Sequence, residues 1–537
     1  MARTLETTAG TNDEPRSTRA PGRVVGAIIG VLSGAVAIGV AQLAAGLIGG
    51  SASPIIAVGS TAIDAAPEWL KSFAIRTFGS NDKLALLTGI DAVLIVAAAA
   101  LGVISLRRPR AGLIGFVGFG AVGALAAVTR PANGPIDALP SLVGLGAGIV
   151  TYLLLRRSAG LPPIRSANEP AAASSTASAP VPGFDRRRFL WTGIAAGGVA
   201  AASGELGRLL VGRADASHSR AGVRIPAPTD PAPPIPAGAD LGIPGVGPFL
   251  TPTDRFYRVD TALFVPAVTA EAWRLRVHGM VDRPITLTYA QLLKRPLIER
   301  DVTLTCVSNE VGGRYIGNAR WIGAPLKDLL EEAGVASGAT QIVSLSADGF
   351  TVGTPTAVVM DGRDAMLAVA MNGSALPIEH GFPARMVVPG LYGYVSATKW
   401  IVDIELTTFE AYDAYWAERG WAQQAPIKTE SRIDTPKAST RLRAGDIVVA
   451  GVAWAQHRGI DGVEVRVDDG SWLPAELAAE DTIDTWRQWM FRWGATAGDH
   501  TLAVRATDGS GRTQTPTSAP PFPNGASGDH TIAVHVS

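Results

Sequence analysis

The chain of 537 residues contains one cysteine, and the chemistry starts there. Cys306 follows the run Thr303-Leu304-Thr305 and precedes Val307-Ser308-Asn309, where a β-rich stretch turns into the Gly312-Gly313 loop. A thiol at such a strand end can face a cleft; taken alone, a lone cysteine is more often a small buried hydrophobe than a reactive group. With no second thiol in the chain, an intramolecular disulfide framework, a zinc ribbon and a cysteine-ligated iron–sulfur cluster are excluded. Downstream, His380 sits in His380-Gly381-Phe382-Pro383-Ala384-Arg385 and Lys399 follows; taken alone these read as a structural histidine and two solvated surface cations.

Those residues need a scaffold, and the composition says what surrounds it. The length implies several domains. Basic and acidic residues balance at 47 each, which argues against a nucleic-acid partner held on a basic face. Charged residues make up only 18% of the chain, and residues 1–210 hold 29 of the 94. That deficit points to a membrane. Val24–Gly50, Leu84–Leu106, Ala111–Thr129 and Leu139–Leu155 are each near the roughly 17–25 residues that cross a bilayer. Arg16, Arg19 and Arg23 precede the first span, Arg107, Arg108 and Arg110 follow the second, and Arg156 and Arg157 follow the fourth, so these flanks are expected in the cytoplasm. The external loops are then Ser51–Lys83, with an amphipathic Pro67–Phe78 piece, and Arg130–Ala138. Asp91, the only ionisable residue within the spans, is either functional or in reach of interfacial water.

A Pro/Ala/Ser-rich linker, Ser158–Gly183, leads to Asp185-Arg186-Arg187-Arg188-Phe189-Leu190 and the modestly apolar Trp191–Gly204. This resembles a twin-arginine export signal placed inside the chain, and it also reads as the basic flank of a fifth span. Both readings put residues 212–537 outside the cytoplasm. Ile225–Pro248 reads as a semi-rigid proline-rich spacer. Leu304–Val307 and Arg385–Val388 read as buried strands and Leu326–Glu332 as a short helix. From about Leu442 the pattern alternates, as in Val463, Val465 and Val467, with turns at Asp469-Gly470 and Asp508-Gly509 and strands over Trp486–Trp493, Thr501–Thr507 and His530–Val536. That is a β-sandwich.

Over roughly Leu250–Ser537 the sequence resembles the sulfite oxidase family of molybdenum-cofactor enzymes. Leu250-Thr251-Pro252 and Phe256-Tyr257-Arg258 look like its opening segment. Cys306 with Asn309 falls on its molybdenum-ligating C-x-G-N. Ala319-Arg320-Trp321-Ile322-Gly323-Ala324-Pro325-Leu326 matches its A-R-W-x-G-A-x-L run. Met371-Asn372-Gly373, Leu376-Pro377, the block His380 to Arg385, Val387-Val388-Pro389-Gly390 and Lys399-Trp400 then follow in order. The resemblance implies Cys306 as metal ligand and catalytic residue, Arg258 as the second catalytic residue, and Tyr257, Arg258, Asn309, Asp348, His380, Arg385 and Lys399 as cofactor-binding. Asp348 equally reads as a turn aspartate. The implied cofactor is Mo-molybdopterin, a soft centre completed by a thiolate, and the implied chemistry is two-electron oxygen-atom transfer on a small sulfur or nitrogen compound.

The fold class expected is multidomain: an N-terminal α-helical transmembrane region, a central α+β sulfite-oxidase-like molybdopterin-binding domain and a C-terminal immunoglobulin-like β-sandwich. The boundaries are 1–23 for the cytoplasmic N-terminus, 24–157 for the four helices, 158–188 for the linker and 189–211 for a fifth transmembrane or signal-anchor helix. The proline-rich linker follows over 212–248, the cofactor domain over 249–430 and the sandwich, a dimerisation domain in the family, over 440–537. Departures weaken the case for sulfite. Glu310-Val311 replaces an arginine pair, Trp421 stands for the substrate tyrosine, and Arg258-Val259-Asp260 replaces R-N-H. No haem is expected, because all seven histidines lie at or after His218 and Met1 is the only methionine before Met280. Electrons are therefore expected to pass to a separate electron-transfer protein or a quinone. An S-oxide or N-oxide reductase on the same cofactor and a cofactor-free surface binding module are the competing readings.

Overall fold

The computed structural model describes residues 22–48, 52–67, 77, 82–129, 134–162, 164, 185–210, 213–262 and 265–537. Arg16, Arg19, nearly all of the N-terminus expected over 1–23, most of the Ser158–Gly183 linker, most of Pro67–Phe78 and part of Arg130–Ala138 lie outside them. The chain forms two compact units, Met1–Val211 and Gly212–Ser537.

In the first unit, helices α1 (Arg23–Ile48), α2 (Pro54–Ala65), α3 (Asp82–Arg107), α4 (Pro109–Val128), α5 (Leu139–Ser158) and α6 (Arg186–Leu210) follow in order. Among the described residues four stretches are long and apolar enough to cross a membrane: Arg23–Ile48, Ala85–Arg107, Pro109–Val128 and Pro135–Ser158. They overlap the four runs expected from the sequence. Helix α6 is not one of them, and α2 occupies a segment expected only as an external loop. Glycines set the packing, since a Cβ on Gly30 would lie 1.9 Å from the Ala98 carbonyl oxygen and one on Gly39 would lie 2.5 Å from that of Ala200. Backbones meet where side chains are smallest, as expected of helices whose surroundings are as apolar as leucine. The arginines gather at one end. Arg23 starts α1, where a Cβ on Gly26 would touch Leu106, and Arg156 donates from Nη1 to the Ser105 carbonyl at 2.8 Å. Asp185 Oδ1 accepts from the Arg188 amide at 3.1 Å, which caps α6.

The second unit begins with α7 (Arg213–Gly222). The stretch expected as a spacer instead lies on the globule. Arg220 donates from Nε to the Leu376 carbonyl at 2.7 Å, Thr229 N donates to Leu297 O at 2.8 Å, and Ala239 is fully buried in the core. Proline fixes φ and leaves its carbonyl to accept, so a proline-rich strap can lie on a surface at little entropic loss.

The cofactor-domain region contains two sheets. One runs in the order β2 (Ile285–Thr288), β1 (Arg274–Gly279), β10 (Ile401–Thr407), β5 (Gln341–Ser346) and β6 (Thr351–Pro355), with β1 and β10 parallel. The other runs β3 (Ile298–Thr305), β4 (Ile316–Pro325), β7 (Met366–Met371) and β8 (Ser374–Ala375), and β9 (Arg385–Val387) also pairs with β7. Strand β7 is apolar on both faces and wholly buried, as in sheets covered on both sides, while the almost wholly buried β4 carries Asn318 and Arg320 on one face, Arg320 paired with Asp301.

The C-terminal region has two more sheets: β11 (Glu430–Thr435), β13 (Gly445–Trp454), β17 (Arg487–Ala495) and β16 (Glu476–Leu477), and then β12 (Arg441–Leu442), β19 (His530–Val536), β18 (Gly498–Asp508), β14 (Ile460–Val467) and β15 (Leu473–Pro474). Their inner faces share one core that includes Val449, Val463, Val465, Trp489, Leu502, Val504 and Ile532. The pattern begins twelve residues earlier than the alternation near Leu442 suggests, because β11, starting at Glu430, pairs with β13.

Candidate active site

Cys306 stands where β3 ends. Strands β3 and β4 pair from Ile298 opposite Gly323 to Thr305 opposite Ile316, and the loop between them closes on itself. The Cys306 amide donates to the Tyr315 carbonyl at 2.9 Å, and the Asn309 amide donates to the Cys306 carbonyl at 3.0 Å. Asn309 Oδ1 accepts from the Tyr315 amide at 2.7 Å. The side chain expected to bind cofactor thus has its oxygen committed to shaping the loop. Burial pushes the Cys306 thiol up, opposed by hydrogen bonds with Ser308 and the charge of Lys399.

The block from His380 to Lys399 brings three expected residues to the same place. Gly381 has φ +110°, and a Cβ there would lie 3.0 Å from Arg385 Cβ and 3.2 Å from Lys399 Cα, so only glycine lets these two segments converge. Arg385 is buried, with its guanidinium over the Trp321 ring at 5.0 Å. It donates to the carbonyls of His380 (3.2 Å) and Ala397 (3.3 Å), while its Nε has no partner among the described residues. Burial lowers its guanidinium to about 10, a strong pull for so basic a group. Lys399 Nζ donates to Asp260 Oδ2 at 2.8 Å and to the Glu379 carbonyl at 3.3 Å. Burial lowers it to about 8 in spite of Asp260. His380 packs edge-on against Phe256 at 5.7 Å; burial, then the charges of Arg385 and Lys399, hold it down at about 4, so it is neutral.

The opening segment supplies the opposite wall. The Tyr257 hydroxyl is raised by burial and by the field of Cys306, and lowered by Arg385. Arg258 Nε donates to Asp260 Oδ2 at 2.8 Å. Asp260 therefore accepts from two cations, Arg258 and Lys399, at the position where the family pattern has a histidine. Its role was hidden in the sequence because it looked only like a departure. Asp348 closes a turn, accepting from the Phe350 amide at 3.2 Å, and the neighbouring Ala347 amide donates to the Trp400 carbonyl at 2.9 Å. Trp421 packs among Tyr394, Trp416 and Phe522, with its indole nitrogen unpartnered among the described residues.

The C-terminal sheets hold both ends of the Cys306 loop. Before the cysteine, the fully buried Gln456 donates from Nε2 to the Thr303 carbonyl and to Thr305 Oγ1, each at 3.0 Å. Thr303 also exchanges backbone bonds, donating to Asp484 O (3.0 Å) and accepting on Oγ1 from the Trp486 amide (2.8 Å). After the cysteine, Arg432 Nη1 donates to the Gly313 carbonyl at 2.7 Å. Nothing in the local sequence signals these contacts, which join residues more than a hundred positions apart.

Comparison with known proteins bears on this geometry. The family model described as "Oxidoreductase molybdopterin binding domain" matches residues 262–416, which include Cys306, His380, Arg385 and Lys399. Rat (Rattus norvegicus) mitochondrial sulfite oxidase is 30% identical over 321 residues, covering 51% of this chain and 58% of that protein. An uncharacterized oxidoreductase, YuiH of Bacillus subtilis (strain 168), is 34% identical over 149 residues, 28% of this chain and 72% of the relative. The chain belongs to the sulfite oxidase family of molybdopterin-binding oxidoreductases. It spans little more than half the length of the mammalian sulfite oxidases it matches. The sulfane dehydrogenase SoxCD of Paracoccus pantotrophus covers 54% of this chain and 82% of its own at 24% identity and a TM-score of 0.48. The residues of this family member fit the family's cofactor. Lys399 and Arg258 share the single carboxylate of Asp260, and the buried Arg385 has no ion pair among the described residues, a surplus of positive charge suited to a phosphate.

Proposed function

We propose that this chain is a membrane-anchored molybdenum oxidoreductase that carries out two-electron oxygen-atom transfer on a small sulfur or nitrogen compound outside the cytoplasm. The observation that carries the reading is the meeting of the buried Arg385 with Lys399 at Gly381, with the Cys306 thiol feeling the charge of Lys399 and Tyr257 that of the thiol. In this reading Cys306 ligates the metal, and Tyr257, His380, Arg385, Lys399 and the Asp348 turn hold the pterin and its phosphate. Molybdenum held by the pterin dithiolene supplies the two-electron exchange of an oxygen atom with a lone pair on sulfur or nitrogen. Arg258, the most exposed of the three cations, orients the incoming substrate. Its charge is already shared with Asp260, and Glu310 and Val311 stand where the family pattern has arginines, so the pocket suits a neutral or singly charged substrate better than sulfite. Electrons pass to a separate carrier protein or a quinone.

The arginines collected at one end of the helices support a cytoplasmic placement of that end, with Arg186 and Arg187 as part of an export signal and residues 212–537 outside. The C-terminal sheets are offered as the immunoglobulin-like domain through which a homodimer forms. Metal analysis of the full chain tests the central claim. One molybdenum per chain, lost in Cys306→Ala, is the expected result, and a metal-free wild-type protein would leave only a binding module. Dye-linked assays with sulfite, sulfoxides and amine oxides in both directions then separate the oxidase from the S-oxide or N-oxide reductase.

A further inference from the structure

A second cationic site lies apart from the Cys306 cluster and shares none of its expected ligands. The geometry points to the cleft between the Gly312–Arg314 loop and strand β11 as a binding site for a small oxyanion. The cleft has a volume of about 470 Å³, within the range of small-ligand sites. Arg255, Arg314, Arg432, Lys437, Asp434 and His530 supply its polar lining. The one carboxylate among them is spent internally: Arg432 donates from Nε to Asp434 Oδ1 at 2.8 Å and from Nη2 to Oδ2 at 3.2 Å. Arg255, Arg314 and Lys437 make no ion pair among the described residues, which leaves three uncompensated positive charges around one concavity.

The other lining groups favour an oxygen-bearing anion over a simple halide. His530 Nδ1 accepts the Ile433 amide at 3.0 Å, so the proton of its neutral ring is on Nε2, the nitrogen that lies against Gly312. The side of the cleft formed by Pro248, Pro252 and Trp486 is rigid and limits the size of an occupant. Arg255, Arg314 and Lys437 are all exposed, yet like charges on the walls of one concave surface focus a positive potential, and an anion with several acceptor oxygens relieves it while pairing with more than one donor. The shared chemistry is the oxyanion itself; free sulfate or phosphate and an organic sulfonate are its two sources.

Calorimetric titration of the detergent-solubilised full chain, with chloride holding ionic strength constant, tests this. Saturable binding of sulfate, phosphate or benzenesulfonate is expected, and the tighter of the inorganic and organic probes identifies the source. Arg314→Gln and Lys437→Gln should each weaken it about tenfold, as for one charged hydrogen bond, and the double variant should abolish it. Arg255→Lys, which keeps the charge, and Lys327→Gln, which lies on a distant helix, should bind as wild type. Circular dichroism confirms that each variant is folded. No saturable binding with any of the three probes, or undiminished binding in the double variant, would overturn the proposal. Molybdenum content is unaffected by these changes, so failure here does not touch the reading of Cys306.

Discussion

Each unit buries an arginine, and the two are treated differently. Arg156 in the helical unit donates to the carbonyls of Ser105 (2.8 Å) and Pro162 (3.2 Å) and lies over the Tyr152 ring at 5.5 Å. It ties helix ends together. Arg385 in the globule has longer bonds to two carbonyls, an unpartnered Nε and other cations nearby, an arrangement that is costly by itself. A buried charge fully satisfied by backbone groups is structural; in the proposed reading, one left under-satisfied beside other cations is held ready for a ligand.

The largest expected effect tests the ligand side of that contrast. Cys306→Ala should lower turnover by more than about a hundredfold, beyond the loss that follows removal of an outer-shell partner, while circular dichroism shows an intact fold. Wild-type turnover in this variant would refute the assignment of the metal. Next, the two arginines should differ in their response to methionine. Each substitution orphans two carbonyls, at about 1–3 kcal/mol apiece, but Arg385→Met also removes a buried charge with no ion pair among the described residues; it should therefore cost the cofactor-free protein less than Arg156→Met costs the helical unit, while abolishing molybdenum retention. Denaturation of both variants by one protocol checks this; equal losses would erase the distinction.

A smaller effect is expected from the positioning side chain Gln456. Gln456→Met keeps the shape and removes two donated bonds, at a cost of about 1–3 kcal/mol. Because Cys306 is the sole thiol, its alkylation rate in the cofactor-free protein reads loop order directly, and the rate should rise several-fold while a distant-core variant of equal stability leaves it unchanged. The smallest effect concerns pH. Burial raises the Glu430 carboxyl to about 8, above its unfolded value, so the stability tied to its protonated form is complete in acid and is lost as pH rises through 8. Glu430→Gln should melt higher than wild type at pH 9 and about equally at pH 5; a constant difference across that range would show that the carboxyl does not titrate there.

Much of this was legible in sequence because it is local. Four apolar runs, a cysteine ending a β-rich stretch and valines alternating with charges each depend on a few neighbouring residues. The cofactor-binding block was legible as a pattern, although its convergence depends on Gly381, whose positive φ the pattern only hints at. What stayed hidden is long-range. The proline-rich stretch reads as a spacer unless one knows that Leu297 and Gln488 wait to bond it. The loop-closing bond of the Asn309 oxygen is invisible in the sequence, and so is the part played by Asp260, whose partners Arg258 and Lys399 lie 2 and 139 residues away.

The clamp on the Cys306 loop also fixes an order of events during synthesis. When the ribosome has made the cysteine, neither Gln456 nor Trp486 exists, and Arg432 has yet to reach the Gly313 carbonyl. The β3–β4 hairpin can form early from its own pairing, but the segments on both sides of the thiol stay slack until translation has passed the tryptophan, some 180 residues later. A nascent chain stalled before that point would carry every cation of the cofactor cluster and still present a loosely held thiol. In the proposed reading, cofactor loading is thereby reserved for chains that have completed most of their length.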